Sequence, residues 1–440
     1  MVDDCSQQCP SRIRLGVLAF LCTLSFLLYL DRVCISQALP AIRQEMQLTN
    51  FQISLVLNAF MVAYAIFEIP TGRWGDRFGS RRVLTRVVVW WSLFTMLTAA
   101  CTGLWSLIMM RFLFGAGEAG AYPNAARIIR NWFPVAERGR AQGLMLASSL
   151  VGGAVAPIAV GYLIQLSGWR SAFIVFGAIG PIWAAAFYCW FRDDPTEHPG
   201  VNAEERLLIA PAPEPHATLT THAPIPWRAI FHSRSMWFLA AINVFAASCS
   251  YLYYSWYPTY LQSARGASPM QSAWLSALVL VGGMIGLLAG GFVSDQMVLR
   301  ARNLRAARAR YGLAVGLVAS GLLVAGTMAE SAEGTAMFMS ASCLVLFLQL
   351  PMLWSSIIEI GGHHVGSMLG LLNMCGLAGG AVSQFMFGAI ADWRQSQGFS
   401  GREQWDTAFI PIAVVLVLNG ICWSFVDTSR PVDYDGQSES

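Results

Sequence analysis

The chain has 440 residues, of which 55% are hydrophobic and 12% charged, with a formal net charge of +3. An ordinary soluble domain carries roughly 25% charged residues, so most of this chain belongs in a membrane. All 28 basic residues are arginine, which excludes a Walker A phosphate loop and Schiff-base chemistry because both need lysine; the ten cysteines form no CxxC pair and no Cys/His metal spacing, so no cofactor or metal is expected.

Twelve apolar runs recur along the chain about every 30 residues, the spacing of a bundle of membrane-crossing helices. The first, Leu15 to Leu30, ends in Asp31-Arg32 with no small-residue cleavage site and reads as a retained helix rather than a signal peptide. A short polar loop covers Gln37 to Asn50. The second span, Phe51 to Pro70, is predicted to break at Pro70 before GRWGDRFGSRR, residues 72–82. Spans three and four run over Val83 to Cys101 and Leu104 to Ile129, and spans five and six over Leu144 to Leu166 and Ser171 to Phe191. Residues 193–233 are rich in Pro, Ala, His and Glu and too poor in apolar residues to fold alone, as expected of a linker. Six further spans follow, near Met236 to Tyr257, Ala273 to Val293, Leu313 to Ala329, Ala336 to Ile358, Met368 to Ile390 and Ala408 to Phe425.

The arginine-rich loops follow the second, fourth, sixth and eighth spans, so the positive-inside rule predicts cytoplasmic placement for these loops, the linker and both termini. The plan repeats: GLMLASSLVGGAV at 143–155 returns as GLLNMCGLAGGAV at 370–382, WRSAF at 169–173 as WDTAF at 405–409, and, more weakly, Gly72 and Asp76 as Gly291 and Asp295. Repeated halves signal a transporter with its site at their interface, and six spans per half give both the same orientation. The division predicted is an N-terminal half at 1–192, a linker at 193–233 and a C-terminal half at 234–440.

The stretch from Trp105 to Pro134 is long and apolar enough to cross a membrane yet contains Arg111 and Glu118. An ionisable group near the bilayer centre costs roughly 2.5 to 3.5 kcal/mol even on lenient scales, so such residues face protein or water and mark pathways. Seven residues are close to two turns, which places both on one helix face about 10 Å apart, beside Gly115, Gly117 and Gly120. With Asp31 and Arg32 they form the leading candidate site: an arginine fork for a carboxylate, and carboxylates able to exchange that partner for a proton. All six histidines lie in predicted loops, so a transported proton must ride on Asp31 or Glu118. A second set, Asp76 among Arg77, Arg81 and Arg82 with Gly72 and Gly79 permitting turns, reads as a gate. Glu68 and Glu359, near the ends of spans two and ten, need no role beyond reaching the membrane surface. Tyr64, Ser148, Ser149, Tyr253, Tyr254, Trp354 and Asn373 are available to complete a cavity for a hydroxylated substrate.

GRWGDRFGSRR resembles the loop signature of the major facilitator superfamily. YLDR at 29–32, RFLFGAGEAGAYPN at 111–124, WFPVAERGRAQG at 132–143, HPGVNAEE at 198–205 and WYPTYLQSARGAS at 256–268 are similar to its anion:cation symporter branch, which includes bacterial hexuronate, glucarate and galactonate permeases. The resemblance implies an all-α membrane protein of twelve transmembrane helices in two pseudo-symmetric six-helix halves, working by alternating access. It also implies substrate binding by Arg32, Arg111 and Tyr64, with Ser149, Tyr253, Trp354 and Asn373 matched less closely, and proton coupling by Asp31 and Glu118. The expected protein is not an enzyme but a monomeric, proton-coupled importer of a small organic anion, a hexuronate, aldarate or aldonate, in a bacterial inner membrane. It has no nucleic-acid partner. The rival readings are an exporter or antiporter and a non-transporting anion sensor.

Overall fold

In lipid every backbone polar group needs a partner within its own segment, and the apolar runs meet that demand as helices. A computed structural model describes residues 10–209, 227–361 and 365–428, and among them there is no strand. The first set of helices is α1 (Ile13–Met46), α2 (Asn50–Phe78), α3 (Ser80–Thr98), α4 (Leu104–Glu118), α5 (Ala121–Trp132), α6 (Val135–Ser167) and α7 (Trp169–Trp190). Two short helices, α8 (Ala203–Ile209) and α9 (Trp227–His232), lie in the linker. The second set is α10 (Arg234–Ser255), α11 (Tyr257–Arg265), α12 (Pro269–Arg300), α13 (Leu304–Met328), α14 (Ala332–Phe347), α15 (Leu350–Gly361), α16 (Val365–Ser396), α17 (Arg402–Trp405) and α18 (Phe409–Cys422). Several starts are closed by side chains: Thr49, Ser233, Ser268, Asn303 and Ser331 each accept a backbone N–H of the first turn.

Ten helical stretches among the described residues are long and apolar enough to cross a membrane. Two more crossings complete the twelve: α3, whose first two turns carry Arg81, Arg82 and Arg86, and the broken pair α4–α5. Among the described residues the fourth, seventh and tenth crossings are interrupted, and each break lies just before a proline: Pro123 in α5, Pro258 in α11 and Pro351 in α15. Proline cannot donate to the carbonyl four residues earlier, and its ring crowds that carbonyl. The break in the fourth crossing falls immediately after Glu118. Pro70, expected to end the second span, does not: α2 runs on to Phe78, so Gly72 lies inside a helix and the turn sits at Gly79, whose φ is +83°. The first part of the linker, residues 193–209, is docked on the first set of helices. Buried Glu205 accepts from the Ser11 hydroxyl at 2.6 Å and from the N–H groups of Ile13 and Arg14 at 3.1 Å, capping the start of α1. Arg14 joins it to Glu137 of α6.

The packing is duplicated. α1 lies on α6, α2 on α4 and α3 on α7; correspondingly α10 lies on α16, α12 on α14 and α13 on α18. Glycine makes the close crossings possible. A Cβ on Gly152 would sit 2.4 Å from the Phe26 carbonyl oxygen on α1, and one on Gly379 would sit 2.5 Å from the Val244 carbonyl oxygen on α10. These two glycines occupy the same place in the repeated GLMLASSLVGGAV and GLLNMCGLAGGAV, so the repeat is a helix-crossing rule written twice. The two sets meet along α6 with α12 and α2 with α16.

Candidate functional site

Between the two sets lies a cavity of about 390 Å³. From the first set α1 contributes Tyr29 and Arg32, α2 Phe60, α4 Arg111 and α6 Ser149; from the second, α10 contributes Asn243, Ser250, Tyr251 and Tyr254, α15 Trp354 and α16 Gln384. The breaks of the seventh and tenth crossings open onto it, at Ser255 and at Phe347 and Leu350. Interrupted helices beside a mid-membrane cavity free backbone groups for ligands.

The four ionisable residues singled out in the sequence come together here. Arg32 donates through Nε to Glu118 Oε1 at 2.8 Å and makes a second, very short contact to the same oxygen through a terminal nitrogen. Its guanidinium is caged by the rings of Tyr29, Phe60 and Tyr64, with centroids 5.2, 5.0 and 5.2 Å away. Arg111 is 4% exposed, lies over Phe60 and Phe114 at 5.1 and 4.7 Å, and has no hydrogen-bond partner at Nε. Asp31 and Glu118 are buried behind the two arginines, and Asp31 Oδ1 and Glu118 Oε2 have no partner. Two cations therefore face the cavity, and each buried carboxylate keeps one unsatisfied oxygen.

The other expected contacts divide. Trp354 and Ser149 line the cavity, although the Ser149 hydroxyl donates to the Leu146 carbonyl at 2.6 Å. Tyr64 contributes its ring beneath Arg32. Tyr253 does not reach the cavity: it is buried inside the second set, with its hydroxyl on the Met339 sulfur at 3.8 Å and its ring against Tyr257. The Asn373 amide donates to Glu68 at 3.2 and 3.3 Å, bridging α16 to α2. The Ser148 hydroxyl bonds back to the Leu144 carbonyl. Tyr29, Asn243, Tyr251 and Gln384 were not singled out from sequence. The α10 residues had a signal: Asn243, Ala247, Ser250 and Tyr254 recur at helical spacing and share one face, whereas Tyr253 falls off it.

In the proposed gate, Arg81 is tied within its own set. Its N–H donates to Asp193 at 3.0 Å, and its side chain reaches the Tyr188 carbonyl at 2.9 Å and lies over the Tyr188 ring. Arg77 lies over Phe78, Arg82 is exposed, and the side chain of Asp76 falls outside the described part of the structure. Glu359 is more than a surface carboxylate: it accepts both terminal nitrogens of buried Arg308, at 2.7 and 2.6 Å.

Residues 21–384 match the Major Facilitator Superfamily. The chain is 34% identical to a probable sulfoacetate transporter of Cupriavidus necator over 95% of its length and 94% of that protein, and 29% identical to a hexuronate transporter of Bacillus subtilis over 89% and 90%. Among solved structures it resembles a bacterial homolog of the human lysosomal transporter Spinster in an inward-facing, unoccupied conformation, with TM-score 0.75, 20% identity and coverage of 95% and 94%. It also resembles a D-xylose-proton symporter, with TM-score 0.70, 15% identity and coverage of 95% and 98%. With its repeated helical plan and its cavity between the repeats, the chain belongs to the Major Facilitator Superfamily and is a multi-pass membrane transporter, not an enzyme.

Proposed function

We propose that the protein imports a small organic anion together with protons, by alternating access of its cavity to the two sides of a bacterial inner membrane. The observation that carries this reading is the pair Arg32 and Arg111 on one cavity wall, with Arg32 held by Glu118. An anion reaching the cavity competes with Glu118 for Arg32. With both arginines and both acids charged the cluster is neutral; a bound monoanion leaves one excess negative charge in a low-dielectric site, and a proton on Glu118 or Asp31 restores neutrality. Asp31 Oδ1 and Glu118 Oε2, buried and unpartnered, are the places for it.

On this reading residues 1–192 and 234–440 are the moving bodies, joined by a cytoplasmic linker at 193–233, and the monomer is the working unit. A cysteine placed at Ala210 in a protein freed of its native cysteines should resist an impermeant thiol reagent in intact cells; modification there rejects the orientation. The substrate proposed is a sugar acid, a hexuronate, aldarate or aldonate. A second reading, a short sulfonated carboxylate, is favoured by the commitment of three of the cavity's polar side chains to the backbone. The Ser149 and Ser250 hydroxyls and the Asn243 amide already donate to backbone carbonyls. Counterflow into proteoliposomes with hexuronates, aldarates, aldonates, sulfoacetate and dicarboxylates separates the two readings, and failure of every anion to exchange would reject both.

A further inference from the structure

We propose that Asp392, with Gly388 one turn before it on α16, is the latch that holds the two halves together on the face opposite the arginine-rich loops, and so sets how often the cavity opens to that side. The first N–H groups of any helix have no acceptor of their own and form its positive end. At the start of α2 they are satisfied from two sources. Thr49, the residue before the helix, accepts from the Gln52 N–H at 3.2 Å. The Asn50 and Phe51 N–H groups donate instead to Asp392, 342 and 341 positions away, at 3.1 Å to Oδ1 and 2.7 Å to Oδ2, and the Asn50 side-chain amide adds a bond of 2.7 Å to Oδ1. Half the cap of a first-half helix is thus a second-half side chain.

The approach is close enough to require glycine. A Cβ on Gly388 would lie 2.2 Å from Ser54 Oγ and 2.7 Å from the Asn50 carbonyl oxygen. Beside it the Ser54 hydroxyl donates to the Gln384 carbonyl at 3.0 Å, and the rings of Phe51 and Phe385 meet edge to face at 4.8 Å. Gly388 and Asp392 also repeat the spacing of Gly72 with Asp76 and of Gly291 with Asp295, so a glycine four residues before an aspartate occurs a third time, here at the opposite end of the fold. A recess of about 510 Å³ lined by Arg43, Gln47, Gln262, Asp392 and Gln395 adjoins the contact. It supplies polar groups and room for water to take up the carboxylate and the α2 N–H groups when they separate. The contact therefore has two satisfied states, closed on protein and open on water, as a switch requires.

This proposal rests on alternating access but on neither the anion nor the proton, so its test uses neither. Gln44→Cys and Gln395→Cys carry spin labels in a cysteine-free protein in lipid nanodiscs, and double electron–electron resonance reads the distance between them. The unmodified latch should give mainly the short distance of the closed face. Asp392→Asn, which keeps the size and removes the charge, should raise the long-distance fraction severalfold, and Gly388→Val should do so by steric means. Asp392→Glu should restore part of the short-distance population. Thr49→Ala, which removes the other half of the same cap without crossing between halves, should leave the distribution unchanged. An Asp392→Asn distribution identical to that of the parent, or an equal shift from Thr49→Ala, would overturn the latch. Absence of counterflow for every anion, with these distances still shifting, would reject the substrate reading and leave the latch standing.

Discussion

The two walls of the cavity are built on the same backbone plan and carry different chemistry. Gly152 against the Phe26 carbonyl and Gly379 against the Val244 carbonyl align α1 with α10; counting six residues on from each carbonyl pairs Arg32 with Ser250, and hence Asp31 with Cys249. Both Arg32 and Ser250 line the cavity. The first wall thus has a guanidinium and a buried carboxylate where the second has a hydroxyl and a thiol. The first wall also adds Arg111 and Glu118, while the second offers Asn243, Tyr251, Tyr254, Trp354 and Gln384, none of them charged. Duplication preserved the helix crossings, which glycine dictates, and left the cavity-facing positions free to diverge. On the proposed function, charge handling falls to the first wall and discrimination among anions to the second.

The largest effect should follow from breaking the charged wall. Arg111 lies mid-span, with no route to the membrane surface, and packs on two aromatic rings. Arg111→Gln should weaken anion binding by about 2 to 5 kcal/mol, and Arg111→Lys should fall in the same range because the planar fork is lost with the charge retained. Titration calorimetry on purified protein measures both, and parental affinity in both would remove Arg111 from the site. A smaller effect, of a different kind, should come from the uncharged wall. Tyr251→Phe removes one hydroxyl and should cost about 0.5 to 1.5 kcal/mol for a hydroxylated anion while leaving an unhydroxylated one nearly unchanged. Competition counterflow with paired anions reads that ratio; equal losses for both would undo the division of labour between the walls.

The smallest effect lies outside the membrane. His198 packs edge-on against Trp132 and Trp190, and its Nδ1 accepts the Gly200 N–H at 3.1 Å. Burial, with Arg192 nearby, lowers its pKa below the ordinary value, so the docked linker favours the neutral ring. Its contribution to stability is present above the unfolded-state value of about 6.5 and is lost as pH falls through it, because the undocked chain then binds the extra proton. Thermal unfolding of the parent and of His198→Gln, compared at pH 7.5 and pH 5.5, should show the parent losing more stability than the variant on acidification. The reverse sign would contradict the docked, neutral histidine.

Much of this organisation was legible in the sequence because lipid leaves few choices. Apolar length marked the crossings, and charges inside a span marked their convergence on one cavity: Asp31, Arg32, Arg111 and Glu118 do meet. Three things were hidden. The helix breaks depend on local competition: Pro70 leaves α2 intact, whereas Pro123, Pro258 and Pro351 each follow an interruption. The side to which an aromatic cluster points depends on helix phase, so of the neighbouring tyrosines in YLYYS it is Tyr251 and Tyr254, not Tyr253, that face the cavity. The Asp392 cap joins residues more than 340 positions apart, a pairing that no local pattern announces.

The claim that the first wall couples charge to movement is tested most directly at Glu118. In one proteoliposome preparation, accumulation of substrate driven by a pH gradient is measured beside counterflow, for the parent and for Glu118→Gln. Glutamine keeps the shape and imitates a permanently protonated acid, so counterflow should survive while uphill accumulation is lost. A Glu118→Gln protein that still concentrates its substrate against a gradient would contradict the account.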